Sequence, residues 1–382
     1  MTTRGETLQL ATRGSDLALR QAATVRDSLS SRRLAVELVE VETTGDQIRD
    51  ELIHRLGKTG AFVRSLDEKV LDGELDAAVH SMKDMPTERP ERLVVAAVPE
   101  RAAAEDVLVT PDGRSLEELP EGATVGTSSL RRKAQLLAER DDLTVEPLRG
   151  NVDTRLAKLL APSLQQEHQE RHEAEQEQTD DAEDSDEGDE EHPYDRTVEE
   201  WFDDLTEFER RAMERDPDTE YDAIVLAKAG LHRAGLTRYV GLSDLDPDRF
   251  VPAPGQGALA VTAVDGDLAL DIKDRRDDPQ TRVETTVERT ILEELGGGCV
   301  APIGVHAQLE GGVVHTRVRV LSQDGTEEVS VGRDIPAEYH IDAAQDLAAE
   351  LAEQGADDLI AEAKRDSTDA DDASAVREEN EE

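Results

Sequence analysis

The sequence predicts an α/β protein of two or three domains, closed by a small α+β unit. Three observations predict it. Residues 1 to about 160 alternate short apolar runs with amphipathic stretches, the pattern of strands joined by helices. At 382 residues the chain exceeds the usual single domain. From about Thr281 the pattern changes to a helix, a strand and a long terminal helix, which suits a separate smaller layer.

In order, the candidate strands are "LQLAT" (8–12), "AVELVEVET" (35–43), "LDAAVHS" (75–81), "LVVAAV" (93–98), "DVLVT" (106–110), "ATVGT" (123–127) and "LTVEPL" (143–148). Helical patterns lie between them. "SDLALRQAATVRDSL" puts Ala18, Ala22, Val25 and Leu29 on one face, with Ser15 as N-cap. "SSLRRKAQLLAER" does the same with Leu130, Ala134 and Leu137, behind Ser128 or Ser129. From about Pro162 to Glu220 the chain is dominated by Glu, Gln and Asp, and apolar residues are sparse before Trp201. This stretch reads as a surface insertion whose first half is disordered or a solvated loop. Within it "VEEWFDDLTEFERRAM" predicts one short amphipathic helix, and His168, His172 and His192 lack metal-ligand spacing. "YDAIVLAKAGLHRAGL" predicts a strand and a helix, and "RFVPAPGQGALAVTAV" a Pro/Gly-rich connection into another strand. "VERTILEEL", a glycine loop with Cys299, "VVHTRVRVLS" and "IDAAQDLAAELAEQGADDLIAEAK" predict the last helix, loop, strand and helix. The acidic tail after Asp366 is expected to be mobile.

Composition bounds the function. Acidic residues number 89 against 43 basic ones, a net charge of −46 that repels nucleic acid. The same charge suits concentrated salt, where at about 1 M the Debye length falls to roughly 3 Å and surface repulsion is screened; a halophilic source is expected. A single cysteine excludes an intramolecular disulfide. The N-terminal "MTTRGETLQLATRGS" lacks the apolar stretch of a signal peptide, and no apolar run approaches a membrane span. A cytoplasmic protein with no membrane or nucleic-acid partner is expected.

In so acidic a chain the placement of positive charge is informative. Arg13 ends the first strand just before a helix N-terminus, Arg131 and Arg132 fall in the first turn of the helix opened by "GTSS", and Arg149 and Arg155 flank "GNVDT". Ligands of open α/β sheets bind beyond the carboxyl ends of strands, and helix N-termini favour anions there. Arginine adds paired donors matched to carboxylate or phosphate. Five such arginines point to a polyanionic ligand of modest size, although any one of them alone is more often a surface ion pair. In "LDAAVHSMKDMP" a strand ends and Ser81, Lys83 and Asp84 emerge before Pro86. A carboxylate beside a lysine and among arginines can stabilise a developing cation or shuttle a proton. A Lys-Asp pair alone is commoner as turn chemistry. Cys299 follows three glycines and has no partner for a CxxC or metal motif. Its loop location disfavours a packed structural thiol, leaving a nucleophile or a covalent anchor.

Taken together, "LATRGSDLALRQA", "GAFVRSLDEKVLDGELDAAVHSMKDMP", "VGTSSLRRKAQL", "LRGNVDTRLAKL", "AIVLAKAGLHRAGL", "PAPGQGALAV" and "GGGCVAPIGV" resemble the hydroxymethylbilane synthase, or porphobilinogen deaminase, family. The resemblance runs from residue 8 to about 307 and leaves out the acidic stretch. It implies two periplasmic-binding-protein-like α/β domains around a cleft plus a small C-terminal α+β domain. Domain 1 would take 1–103 and 256–276, and domain 2 would take 104–255 with the insertion at about 162–220. Domain 3 would take 280–366 with the Cys299 loop, and 367–382 would be a tail. The implied activity is stepwise condensation of porphobilinogen into a linear tetrapyrrole with release of ammonia, in a monomer. The primer would be a dipyrromethane cofactor joined to Cys299 by a thioether. By the same resemblance Asp84 is the catalytic aspartate. Ser81, Lys83, Thr127, Ser129, Arg131, Arg132, Arg149 and Arg155 hold the cofactor, and Arg13, Ser15, Phe62, Arg233 and Gln256 meet substrate. The chain departs from the family's "GGKGLF" with "LGKTGAF", so Thr59 takes the usual lysine position and Lys58 lies one residue earlier; Arg55 stands where a lysine is expected. The same arginines suit a non-catalytic anion binder, and a lone cysteine suits an acyl transferase, but the first leaves Asp84 and Cys299 unexplained and the second lacks a base near the thiol.

Overall fold

The structure is a computed structural model that describes residues 7–32, 34–41, 61–184, 194–216, 219–298 and 301–366, with the side chains of 61–62 and 177–184 outside that description. The first sheet opens with β1 (Thr7–Arg13), α1 (Asp16–Leu29) and β2 (Ala35–Val41), then α2 (Ala61–Leu71), β3 (Ala77–Ser81) and β4 (Leu93–Ala97). The chain leaves it for β5 (Asp106–Thr110), β6 (Thr124–Gly126), α3 (Leu130–Glu139), β7 (Thr144–Glu146) and α4 (Val152–Asp184). Two short helices, α5 (Val198–Asp204) and α6 (Glu207–Met213), precede β8 (Ala223–Ala227), α7 (Lys228–Ala234) and β9 (Gly241–Asp244). β10 (Leu259–Val264) then returns to the first sheet, and α8 (Asp267–Arg276) and α9 (Pro279–Glu294) follow. The last unit is β11 (Ile303–Glu310), β12 (Val313–Leu321), β13 (Glu328–Pro336), α10 (His340–Glu353) and a helix over 356–366.

The strand orders are β2-β1-β3-β10-β4, β7-β6-β8-β5-β9 and β11-β12-β13. The first two sheets share one plan: three parallel strands, then an antiparallel strand that has crossed from the other half of the chain. Each crossing strand ties the two sheets together. β3 is buried at four of its five residues because helices cover both faces, which is why it opens on the small apolar run "AAV", with His80 buried against Asp67 and Thr262. Ala77 and Val79 pack with Ala22, Val25 and Ile272, whereas Ala78 packs with Leu66 and Val70. The third sheet is an antiparallel meander whose Val314, Val318 and Val320 meet Val287, Ile291, Leu347 and Leu351 of α9 and α10.

The seven candidate strands of the first half all form, and Ser15 and Ser129 cap α1 and α3 as their positions imply. Three expectations are corrected. The start of the acidic stretch is helical: α4 runs 33 residues, straight through Pro162. Glu, Gln, Arg and Ala favour helix even where nothing apolar is buried. The pairs Gln166–Glu170, Gln169–Glu173 and Arg171–Glu167 add support one turn apart. "VEEWFDDLTEFERRAM" makes two helices rather than one, because Thr206 starts a second capping box in mid-stretch. The strands β9, β11 and β13 had no expectation. The terminal helix is interrupted at Gly355, whose φ of +101° breaks the helical run. The expectations for Arg55, Lys58, Thr59, Cys299, His192 and the tail after 366 lie outside the described residues.

Candidate functional site

The site is built where β3 of the first sheet and α3 beside the second end and begin. After β3, Met82–Asp84 form a single 3₁₀ turn. Met82 and Met85 are buried, which fixes the turn's rotation; Lys83 between them is half-buried and Asp84 is exposed. Ser81 ends the strand, half-buried. Lys83 keeps some exposed surface but lies in a crevice crowded by protein. Its ammonium is pushed below the usual range mainly by desolvation, against the pull of Asp84 and with further push from Arg132.

α3 begins behind a layered cap. Ser129 Oγ accepts from the Arg132 amide at 3.4 Å, Thr127 Oγ1 accepts from the Ser129 amide at 3.2 Å, and Ser128 Oγ donates to the Leu148 carbonyl at 2.7 Å. Arg131 and Arg132 therefore sit in the first helical turn with their side chains turned inward, 4 % and 5 % exposed. Between them lies Asp106, wholly buried at the start of β5. It accepts from Arg131 Nη2 at 2.7 Å, from Arg132 Nη2 at 2.8 Å and Nε at 3.1 Å, and from Gln256 Nε2 at 2.8 Å. Burial alone would raise the Asp106 pKa, but the two guanidinium groups and their hydrogen bonds hold it well below the usual carboxylate range. One carboxylate between two guanidiniums leaves a net positive charge, and Arg131 Nε is buried with no hydrogen-bond partner among the described residues.

Arg155, near the start of α4, shares this neighbourhood. Burial, then Arg132, push its pKa down to about 10, and Asp84 pulls the other way. Its Nε donates to the Gly150 carbonyl at 2.7 Å. Arg149 is half-buried and its guanidinium has no partner among the described residues. Lys83, Asp84, Arg131, Arg132 and Arg155 are thus brought within electrostatic reach of one another from separate parts of the chain. Arg13 ends β1, half-buried, and Ser15 serves as the α1 cap, accepting from the Ala18 amide. Arg233 spends Nη2 on the Gly257 carbonyl at 2.8 Å, and burial lowers its pKa. Gln256 is a correction: it does not line a cleft. It is 1 % exposed and its amide nitrogen serves Asp106 and the Ala104 carbonyl. Phe62 opens α2 as the second helical residue, its side chain outside the described set.

Sequence reasoning missed the second buried polar cluster. Glu288 of α9 is fully buried and takes both Arg101 terminal nitrogens, at 2.8 and 3.0 Å, with the amides of Gly255 at 2.6 Å and Ala307 at 2.9 Å. Arg101 Nε donates to the Gln256 carbonyl at 2.8 Å, so the two clusters meet at one residue. A signal existed. Glu284 and Glu288 fall on the same face as Val287, Ile291 and Leu295, and a carboxylate on an apolar stripe demands a cation. Asp106 gave a similar one, as an acid opening an otherwise apolar strand.

The approach to Cys299 is described as far as Gly298. Gly296 has φ +60°, and the amides of Gly296 and Gly297 donate to the carbonyls of Glu293 and Leu292, the Schellman termination of α9. A Cβ on Gly297 would lie 2.3 Å from Ile303 Cδ1, whereas one on Gly298 would meet nothing within 4 Å. Two of the three glycines therefore have structural reasons, and the third stands in open space next to the cysteine.

An Arg131 Nε and an Arg149 guanidinium without partners among the described residues fit a ligand bearing several carboxylates. Comparison with known proteins agrees in kind. The family described as "Porphobilinogen deaminase, dipyromethane cofactor binding domain" matches residues 8–166 and 208–271, and "Porphobilinogen deaminase, C-terminal domain" matches 283–354. The skipped stretch contains the outer part of α4 and all of α5. The probable porphobilinogen deaminase of Halobacterium salinarum is 53 % identical over 370 residues, covering 88 % of this chain and 93 % of its own. That of Methanosarcina acetivorans is 39 % identical over 331 residues, covering 86 % of each chain. Among solved structures, the apo ectoine-binding protein TeaA of the TeaABC TRAP transporter aligns over 96 % of this chain and 100 % of its own with a TM-score of 0.34 and 10 % identity, too distant to bear on the fold.

Proposed function

The chain belongs to the porphobilinogen deaminase family and carries its dipyrromethane cofactor binding domain, and from that premise we propose how its own residues run the reaction. The reaction joins porphobilinogen units into the linear tetrapyrrole hydroxymethylbilane, with ammonia leaving at each addition. When bound through Cys299, the dipyrromethane supplies the pyrrole carbon to which the first substrate is joined. As ammonia departs, positive charge develops on the substrate. Asp84, exposed on its turn and free of protein hydrogen bonds among the described residues, stabilises that charge and accepts from pyrrole N–H groups. Arg149, Arg155 and the spare Nε of Arg131 hold carboxylates of the bound chain. Lys83 adds a further cation, its pKa lowered by burial against the pull of Asp84. Thr127 and Ser129 hold the α3 N-terminus that presents Arg131 and Arg132. Arg13, Ser15, Ser81, Phe62 and Arg233 are assigned to the surrounding cleft on the family resemblance alone.

One observation carries this reading. In a protein of net charge −46, four cations (Lys83, Arg131, Arg132, Arg155) share one neighbourhood with two carboxylates among the described residues, Asp84 and Asp106. Such crowding is relieved by a polyanion. Intact mass of the purified protein tests it. The expected mass exceeds that of the chain by two porphobilinogens less two ammonias, and Cys299→Ala loses the increment. An unmodified wild-type mass overturns the tethered-primer reading in favour of an anion binder.

The finer points are proposals on other grounds. The partition into 1–103 with 256–276, 104–255 and 280–366 is supported by the return of β10 to the first sheet. Among the described residues no helix is long and apolar enough to cross a membrane. A cytoplasmic monomer in concentrated salt is supported by the charge, which only strong screening tolerates. Dialysis into dilute buffer is expected to collapse the circular dichroism signal; an unchanged signal removes the salt requirement.

A further inference from the structure

Arg289 follows Glu288 in α9 and faces a different target. Its Nη1 donates to the carbonyls of Met82 and Met85, each at 3.2 Å, and its Nη2 to the Pro86 carbonyl at 2.6 Å. All three carbonyls belong to the turn that displays Lys83 and Asp84. A single 3₁₀ turn that does not continue as a helix leaves its carbonyls without backbone partners beyond the first. Here only the Met85 amide returns to Met82. Arg289 adds donors to the Met82, Met85 and Pro86 carbonyls, and among the described residues no other side chain donates to these three. The turn's other side is held by backbone: the Met82 amide donates to Ala258 at 3.1 Å, and Gly255 makes room for Met82, since a Cβ there would lie 2.8 Å from Met82 Cγ. Glu288 in turn holds the Gly255 amide. Two consecutive side chains of one helix therefore clamp the turn from both sides. Five residues beyond Arg289 the same helix ends in the glycine motif that leads to Cys299.

We propose that Arg289 is a positioning residue: reaching from the C-terminal unit, it holds the Met82–Pro86 turn by three carbonyls and so fixes Asp84 without touching substrate. The proposal rests on the role given to Asp84 above. Misplacement of a reacting group by about 1 Å costs on the order of 10²-fold in rate. Removing the fork is therefore expected to act on kcat and leave binding and loading intact.

The test compares Arg289→Gln, Arg289→Lys, Asp84→Ala and the double variant Asp84→Ala/Arg289→Gln, all as cofactor-loaded protein checked by intact mass. For Arg289→Gln the expected result is a fall in kcat of roughly 10- to 100-fold per loaded molecule, with KM within about threefold of wild type. Arg289→Lys, which keeps the charge but not the fork, recovers part of it. In the Asp84→Ala background the Arg289→Gln change costs nothing further, because its effect passes through Asp84. Unchanged kcat in Arg289→Gln overturns the proposal. So does a loss that merely tracks the unfolded or unloaded fraction, and so does additivity in the double variant. Near-normal turnover of Asp84→Ala would instead remove the reading on which the proposal rests.

Discussion

The floor and the rim of the site each contain an aspartate among the same cations, and their surroundings differ. On the floor, Asp106 is wholly buried and receives four side-chain hydrogen bonds from Arg131, Arg132 and Gln256. On the rim, Asp84 is exposed and has no hydrogen-bond partner among the described residues. A buried carboxylate must be matched by protein, and once matched it has nothing left to offer a ligand. A carboxylate on a turn is matched by water, which a substrate can displace. Satisfaction by the surroundings, more than residue type, separates an acid consumed by the fold from one left available. The arginines divide the same way: Arg131 and Arg132 are largely committed to Asp106, while Arg149 has no partner among the described residues.

The sharpest break of this comparison is Asp84→Ala. Turnover is expected to fall by about 10²- to 10⁴-fold, the usual span for a group acting on charge or protons in the transition state. Melting should barely move, since exposed substitutions stay within about 0.5 kcal/mol. A large loss of stability with modest loss of turnover would erase the distinction between rim and floor. Asp106→Asn should do the reverse and destabilise by about 3–5 kcal/mol, because it strands two buried guanidiniums. Urea titration measures it.

The pH dependence follows with its sign. The Asp106 pKa is depressed in the folded protein, so its contribution is fully present above the unfolded value of about 4 and drains away as pH falls toward the folded value. Wild-type stability should therefore decline below about pH 4, and Asp106→Asn should flatten that part of the decline; an identical slope in both removes the assignment. The smallest effect is Arg149→Gln. With no partner among the described residues to lose, its stability should change by less than about 0.5 kcal/mol. Cofactor loading or substrate affinity should weaken by roughly 10- to 100-fold, the worth of one charge-assisted hydrogen bond. Equal affinity would place Arg149 outside the site.

Much of the architecture was legible because local rules and burial agree there. Strands such as "DVLVT" are buried on both faces and read as continuous apolar runs. Ser15 and Ser129 sit where an N-cap must, directly before an apolar face. The acidic stretch misled because low apolar content was read as absence of structure. α4 is instead held by propensity, by pairs one turn apart, and by a small clasp in which His168 lies against Trp201 and Arg171 over the rings of Tyr194 and Trp201. Gln256 misled differently: it lies in a Pro/Gly-rich connection that looks like exposed loop, yet that connection passes between the two sheets and is buried at five consecutive residues, 254–258.

The sequence alone determined the α/β class, the places where strands yield to capped helices, and the small set of charged residues collected at those places, because each depends on neighbours a few positions apart. Only the tertiary structure decided which of those charges are consumed and which stay available. Asp106 meets Arg131 across 25 residues, Arg101 meets Glu288 across 187, and Arg289 meets Met82 across 207. Whether a charge is matched by protein or left for a ligand is fixed by partners at such distances, and no local pattern encodes them.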